Sequence, residues 1–368
     1  MKRGLSYIVM AVLCGLCLSS CANDELVEKA GGDGRAPVRL TLSLSGNSSR
    51  AINPPVGDGK LDPTTPEQGA IVEDDVYVLV IDAVTQRLKY LVEDLRVIDG
   101  YASQKILEGT MERTTGHEQV RLVVLANLNQ NQIQGVTGDM QTYLKTLVGK
   151  EVREVYDKLV YNYTGSAPWN LVERRLPMWG ISPATGVPPA GQSLECKLYR
   201  AVAKVSLWVN GKQGHKDTKG DFTITGITVN NANDKGYCVS QAPLDPDETV
   251  QYLTPYVTGL WMNSRNIVYT GLNVTTAYED LIYLPEQENT DSRAVSLEVT
   301  YTYGGETQTK TIEFKKDGVG DRFEVVRNHV YVFNIKVAET PTVGGGLKTD
   351  VETYVQNWSE IPLAPGYE

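Results

Sequence analysis

Histidine, phenylalanine, cysteine and positive charge are all scarce in this sequence, and each scarcity closes off a class of function. Three histidines occur among 368 residues. His117 follows Gly116 in a loop, His215 sits in the polar run Gly211-Lys-Gln-Gly-His215-Lys, and His329 lies inside a strand-like stretch. None has a second His or a Cys at metal-ligand spacing, so no metal site is expected and His329 reads as a packing or hydrogen-bonding residue. The acidic turn Asp245-Pro-Asp247-Glu248 lacks the glycine and spacing of an EF-hand loop. No Gly-x-Ser-x-Gly or Walker sequence is present. The chain is therefore read as a non-enzyme that needs no cofactor. With 35 basic against 45 acidic residues the net charge is -10, which excludes the basic footprint of a nucleic-acid binder.

Long apolar runs are equally short in supply. The run from Ile8 to Leu18, preceded by Lys2 and Arg3, is too short to span a bilayer and reads as a signal peptide. It ends Leu18-Ser19-Ser20-Cys21, which resembles a bacterial lipobox. That resemblance implies cleavage before Cys21 and a diacylglycerol thioether on its sulfur. Asp24, Glu25 and Glu28 resemble the acidic export tag of surface lipoproteins. Of five cysteines, Cys14 and Cys17 leave with the signal, so Cys196 and Cys238 alone remain as thiols. A disulfide between them is permitted outside the cytoplasm, and two separate buried thiols fit equally well.

What is present points to β structure. Four Phe stand against 20 Tyr, with 34 Gly and 17 Pro, a balance that suits half-wet sheet faces joined by many turns. Length alone favours two domains. Val38, Leu40, Leu42 and Leu44 alternate with Arg39, Thr41 and Ser43, the period of a strand with one buried face. Gly46-Asn-Ser-Ser49 follows as an exposed loop, and Arg50-Ala51 is a basic bond within reach of proteases. Arg35-Ala36 is a rival cutting point, disfavoured by Pro37 directly after it.

Further along, 75–82 (DVYVLVID) is an apolar strand with 87–92 as its hairpin partner. The near-continuous run 120–127 (VRLVVLAN) belongs centrally in a sheet. Met140, Leu144, Leu147, Val155 and Leu159 keep roughly helical spacing, so one helix over 139–159 is expected, weakened at Gly149. A short strand over 176–182 precedes the Pro/Gly-rich break at 183–191, taken as a domain boundary. Strands are expected over 194–209, 222–230, 294–303, 307–314 and 322–337, with Gly304-Gly305 as a hairpin turn. Gly344-Gly-Gly346 reads as a hinge before a final extended segment, 350–363.

Several of these stretches together resemble the fimbrillin family of Bacteroidetes, major subunits of strand-exchange pili of the FimA and Mfa type. The matching pieces are the lipobox, the strand Val38–Leu44 followed by Ser-Arg-Ala, and the apolar strand 76–81. They continue with LVVLAN at 122–127, LPM at 176–178, RAVAKV at 200–205, RNHVYVFNIKV at 327–337 and the terminal strand holding Trp358. The loops around 51–73 and 240–265, and the ending Ala-Pro-Gly-Tyr-Glu, depart from the family pattern.

The resemblance implies a mainly β fold of two tandem transthyretin-like β-sandwich domains with one or two short helices. The corresponding segments are a signal peptide (1–20), a propeptide with a removable first strand (21–50), an N-terminal sandwich (51–190), a C-terminal sandwich (191–346) and a donor segment (347–368). An arginine-specific maturation protease would cut at Arg50-Ala51, and a neighbour's C-terminal strand would fill the groove. Val351, Thr353 and Val355 are the expected donor positions, with Trp358, Ile361 and Leu363 adding bulk, in either register. The alternative for this stretch is the last strand of its own domain.

Removing Val38, Leu40, Leu42 and Leu44 uncovers apolar surface worth roughly 6–12 kcal/mol and leaves an unpaired sheet edge. One groove and one tail per subunit make a head-to-tail filament of identical subunits, with anchor and tip subunits as further partners. The implied location is a fimbrium, reached through an outer-membrane lipoprotein precursor. Competing expectations are a fimbrial anchor or tip subunit, or a lipid-anchored glycan-binding protein using Trp169, Trp179, Trp208 and Trp261 as sugar platforms.

Overall fold

The computed structural model describes residues 34–44, 66–99, 105–113, 118–186, 193–240, 264–289, 294–315, 322, 324–337 and 349–358. In the first half the strands are β1 (Arg35–Leu44), β2 (Val76–Asp82), β3 (Leu88–Leu91), β4 (Glu93–Asp99) and β5 (Lys105–Glu112). They are followed by β6 (Val120–Ala126), helices α1 (Met140–Lys145) and α2 (Val152–Lys158), β7 (Val160–Asn162), β8 (Met178–Ile181) and β9 (Ser193–Arg200). Eight of these strands form one sheet in the order β3-β2-β6-β8-β9-β1-β5-β4. The apolar runs of β2 and β6 pair antiparallel, and Val78, Leu79, Val80, Leu122, Val123, Val124 and Leu125 are all buried, as both-faced burial requires. The hairpin of β2 with β3 forms as expected.

The expected single helix is two. Asp139 caps α1 by accepting the backbone N–H of Thr142 at 2.7 Å. Gly149, at φ +84°, then breaks the run. The broken backbone pairs with β3 instead: Gly149 N–H donates to Leu88 O and Leu88 N–H to Lys150 O.

The second half contributes β10 (Val202–Val209), β11 (Lys216–Asp217), β12 (Gly220–Asp221), β13 (Thr223–Asn233) and β14 (Lys235–Tyr237). Then come β15 (Ser264–Val274), β16 (Ala277–Pro285), β17 (Ser296–Tyr303), β18 (Glu306–Glu313), β19 (His329–Val337) and β20 (Thr349–Asn357). Two four-stranded sheets, β16-β10-β19-β20 and β15-β13-β17-β18, share a core that includes Leu207, Phe333, Ile267, Val299 and Ile312. Gly304 and Gly305 both hold positive φ in the β17–β18 turn, as a two-residue hairpin needs.

One expected strand, 194–209, is divided at Ala201. Its first part is β9, which pairs parallel with β1 and, through Tyr199 and Arg200, antiparallel with β8. Its second part, β10, is wholly buried and runs parallel to β19. The change of sheet thus falls about ten residues beyond the Pro/Gly break at 183–191. β7 and β14 pair antiparallel and tie the two halves together. Gly236 is required there, because a Cβ would lie 2.3 Å from the Tyr161 ring.

Candidate functional site: the first strand and the last

β1 forms because its alternation suits a strand with one face in the core. Ala36, Val38, Leu40 and Leu42 are buried, whereas Arg39, Thr41 and Ser43 are half-exposed. The strand lies inside the sheet rather than at its rim. Leu40 is opposite Leu107 of antiparallel β5 on one side and opposite Leu194 of parallel β9 on the other. Its outer face is tacked down by Thr41 Oγ1 to Ser193 Oγ at 2.7 Å and by Arg35 to Glu93 at 2.8 Å. Taking away Val38, Leu40 and Leu42 alone uncovers apolar surface worth roughly 5–9 kcal/mol. It also leaves two facing rows of unpaired main-chain groups, on β5 and on β9. The backbone of Leu44 pairs opposite Leu198 at the strand's end.

The last strand closes a different site. β20 is an edge strand, antiparallel to β19 with Val355 opposite Tyr331. Thr353 and Val355 are buried and Val351 half-buried. Trp358, the next described residue after β20, is 0% exposed and its backbone N–H donates to Asn328 O. Its indole stacks on Tyr283, with ring centres 6.0 Å apart and planes 9° apart. Two buried cations face the same ring, the Arg200 guanidinium at 4.5 Å and the Lys204 ammonium at 5.7 Å.

Gln68 joins the cluster from the turn that precedes β2. Its carbonyl accepts Arg200 Nε at 2.9 Å, and its side-chain amide donates to Tyr283 Oη at 2.9 Å. Burial pulls the Arg200 pKa down to about 9, against the opposing influence of Tyr283. Four separated parts of the chain therefore meet around one tryptophan. The sequence marked Trp358 as bulk and 200–205 as a motif, but gave no sign that Gln68, Arg200, Lys204 and Tyr283 surround it.

Cys196, on β9, and Cys238, just after β14, are both buried free thiols, so the disulfide that the sequence permitted is not formed. Burial raises each to about 12. His329 is buried with Nδ1 2.8 Å from Arg327 O, which accounts for it structurally. Trp169, Trp179 and Trp208 are core residues, 3%, 1% and 6% exposed, and therefore offer no sugar platform. Cys21, Arg50, Ala51, Trp261, Ile361 and Leu363 lie outside the described residues. No helix among the described residues is long and apolar enough to cross a membrane.

The architecture is a two-half β protein whose first described strand lies inside its sheet. The chain belongs to the family of fimbrillin-A associated anchor proteins Mfa1 and Mfa2, whose family model matches residues 30–361. Its fold is shared with the tip fimbrial protein Mfa3 of Porphyromonas gingivalis, solved with a C-terminal truncation. That match has 16% identity and a TM-score of 0.50, and covers 88% of this chain and 100% of the other. A candidate cell adhesion protein from Parabacteroides distasonis matches with 14% identity and a TM-score of 0.50, over 87% of this chain and 97% of the other. No curated protein sequence matches the chain.

Proposed function

We propose that this protein is a structural subunit of a cell-surface fimbria, exported as a lipoprotein through Cys21 and activated by cleavage after Arg50. Release of β1 then opens a slot that a neighbouring subunit's C-terminal strand fills. The observation that carries this reading is the interior position of β1, paired on both sides by β5 and β9. A rim strand, once lost, would leave one edge; an interior strand leaves a gap one strand wide, to which a single extended segment fits.

The donor follows from spacing. Val351, Thr353 and Val355 repeat every second residue, like Val38, Leu40 and Leu42, so one face of the incoming strand meets the vacated core. One slot and one tail per subunit propagate a filament rather than closing a ring. Arg35-Ala36 is the poorer cleavage site. Arg35 is paired with Glu112 and bridged to Glu93, and Ala36 is buried, so the bond is not free to enter a protease cleft.

A second reading has its own observation. Trp358 is wholly enclosed, and a tail that must leave has to extract it from Arg200, Lys204 and Tyr283. A fimbrial anchor that keeps both β1 and its lipid has no need of that extraction, and the family's description as anchor proteins agrees with it. Treating the purified precursor with an arginine-specific protease separates the two. Ala51 as the new N-terminus, with ladders stable in mild detergent, is the expected result. A lipidated, uncut chain in the assembled fimbria would establish the anchor instead, and Ala36 at the N-terminus with intact polymerisation would refute the choice of site. Deleting 347–368 is expected to abolish fibres from the cleaved protein.

A further inference from the structure

Between β6 and α1 the chain is dominated by carboxamides: Asn127, Asn129, Gln130, Asn131, Gln132 and Gln134 are six of eight consecutive residues. Half of them build the loop itself. Asn127 donates to Ala70 O and Leu176 O and accepts from Val72 N–H, all within 2.9 Å. Asn131 donates to Asn127 O and Arg175 O and accepts Arg174 Nε at 2.6 Å. Gln130 accepts the backbone N–H of Arg175 at 2.9 Å. Gln134 N–H donates to Val160 O, fixing the loop against β7.

The other three face a cavity of about 410 Å³, together with Asn162 of β7. Asn129 Nδ2 is engaged with Tyr77 Oη at 2.8 Å and Asn162 Nδ2 with Gln132 O at 2.6 Å, which leaves both side-chain carbonyls as acceptors. Among the described residues the side chains of Gln132 and Gln134 have no hydrogen-bond partner, and both are exposed. Ile133 and Met140 give the same cavity an apolar lining.

The geometry points to a binding site for a neutral saccharide of one or two units, a use that does not depend on how the subunit assembles. Carboxamides present donors and acceptors together, which matches vicinal hydroxyls, and the apolar lining suits the C–H face of a sugar ring. No charged side chain lines the cavity, while Asp75 sits behind Asn129 and Asp139 precedes Met140, so an anionic sugar is disfavoured. A strand-like peptide ligand would need an open edge beside the cavity. β7 offers none, being paired to β14 and bridged to Ile133 through Tyr161. Because Asn127, Gln130 and Asn131 already fix the loop, binding has only the exposed side chains of Gln132 and Gln134 left to order.

The test uses the purified full-length mature protein on a printed array of neutral and sialylated oligosaccharides. The best neutral glycan is then titrated calorimetrically against wild type, Gln134→Ala and Gln132→Asn. Asn is chosen at 132 because the backbone there holds φ +48°, which Asn tolerates. Binding to neutral glycans, weakened about tenfold by each substitution with unchanged thermal unfolding, is the expected result. Absence of any neutral-glycan binding, wild-type affinity in both variants, preference for sialylated glycans, or capture of peptides by this loop in place of sugars would each overturn the assignment.

Discussion

The Arg200 guanidinium carbon stands 4.5 Å from the centre of the Trp358 indole ring, joining the end of β9 to the residue after β20. Both side chains are fully buried, so the attraction acts where water cannot weaken it. Trp358→Ala is expected to cost about 3–5 kcal/mol, and a double-mutant cycle with Arg200→Met to give a coupling of about 1–2 kcal/mol in urea unfolding. Additive effects would mean that the ring and the cation merely share a cavity. In the strand-exchange reading the same Trp358→Ala change loosens the tail and speeds ladder formation after cleavage. In the anchor reading it lowers stability and nothing else.

β1 should stay where it is after the chain is cut. A segment paired on both sides, with Val38, Leu40 and Leu42 buried, keeps about 5–9 kcal/mol of apolar contact without a covalent link. The 21–50 fragment is therefore expected to co-elute with the body of the protein in gel filtration after cleavage at Arg50. A synthetic peptide of residues 347–363, added in excess, should then displace it. Fragment loss on cleavage alone would show that the slot opens spontaneously and that no competing strand is needed.

The parts legible in the sequence were those where one residue type dominates a face. The apolar runs of β2 and β6, the alternation of Val38, Leu40 and Leu42, and the Gly304-Gly305 turn all specify their structure locally. β15 escaped because its inward positions include Arg265 beside Ile267 and Tyr269, which blurs the apolar period. The arginine finds its partners only in three dimensions: Nη1 donates to Gly165 O at 2.7 Å and the guanidinium lies over the face of Tyr163, while Nε and Nη2 are buried without a hydrogen bond to any described residue. The helix pair was half legible, since Gly149 signalled a weakness but not that β3 would pair with the break. The surroundings of Trp358 were illegible for the same tertiary reason: Gln68, Arg200 and Tyr283 are far apart in sequence and meet only when both halves are folded.

The two thiols should be inert in the native protein. Cys196 and Cys238 are buried, and burial holds each near 12, so little thiolate exists at neutral pH and reagents have no path to it. Iodoacetamide at pH 8 is expected to modify neither residue until denaturant is added, after which both react. Native labelling of either one would contradict its placement in the core.

Asp75 sets a pH dependence with a definite sign. Its two carboxylate oxygens accept the Asn129 backbone N–H at 3.0 and 2.9 Å, beneath the amide-rich loop. Burial nevertheless pushes its pKa up to about 6, more than the backbone N–H groups of Asn129, Leu128 and Gln130 pull it down. Unfolding returns it to about 3.9. Between these values the native state holds a proton that the unfolded chain has released, so this group's contribution to stability falls as pH rises from about 4 to 6 and is level above that. Asp75→Asn keeps one acceptor for Asn129 and cannot ionise. Relative to wild type, the variant should therefore gain stability across that window and hold the gain at pH 7, as read from urea unfolding at each pH. Parallel curves for the two proteins would mean that Asp75 is as well solvated as a surface carboxylate, and that the loop above it does not seal it from water.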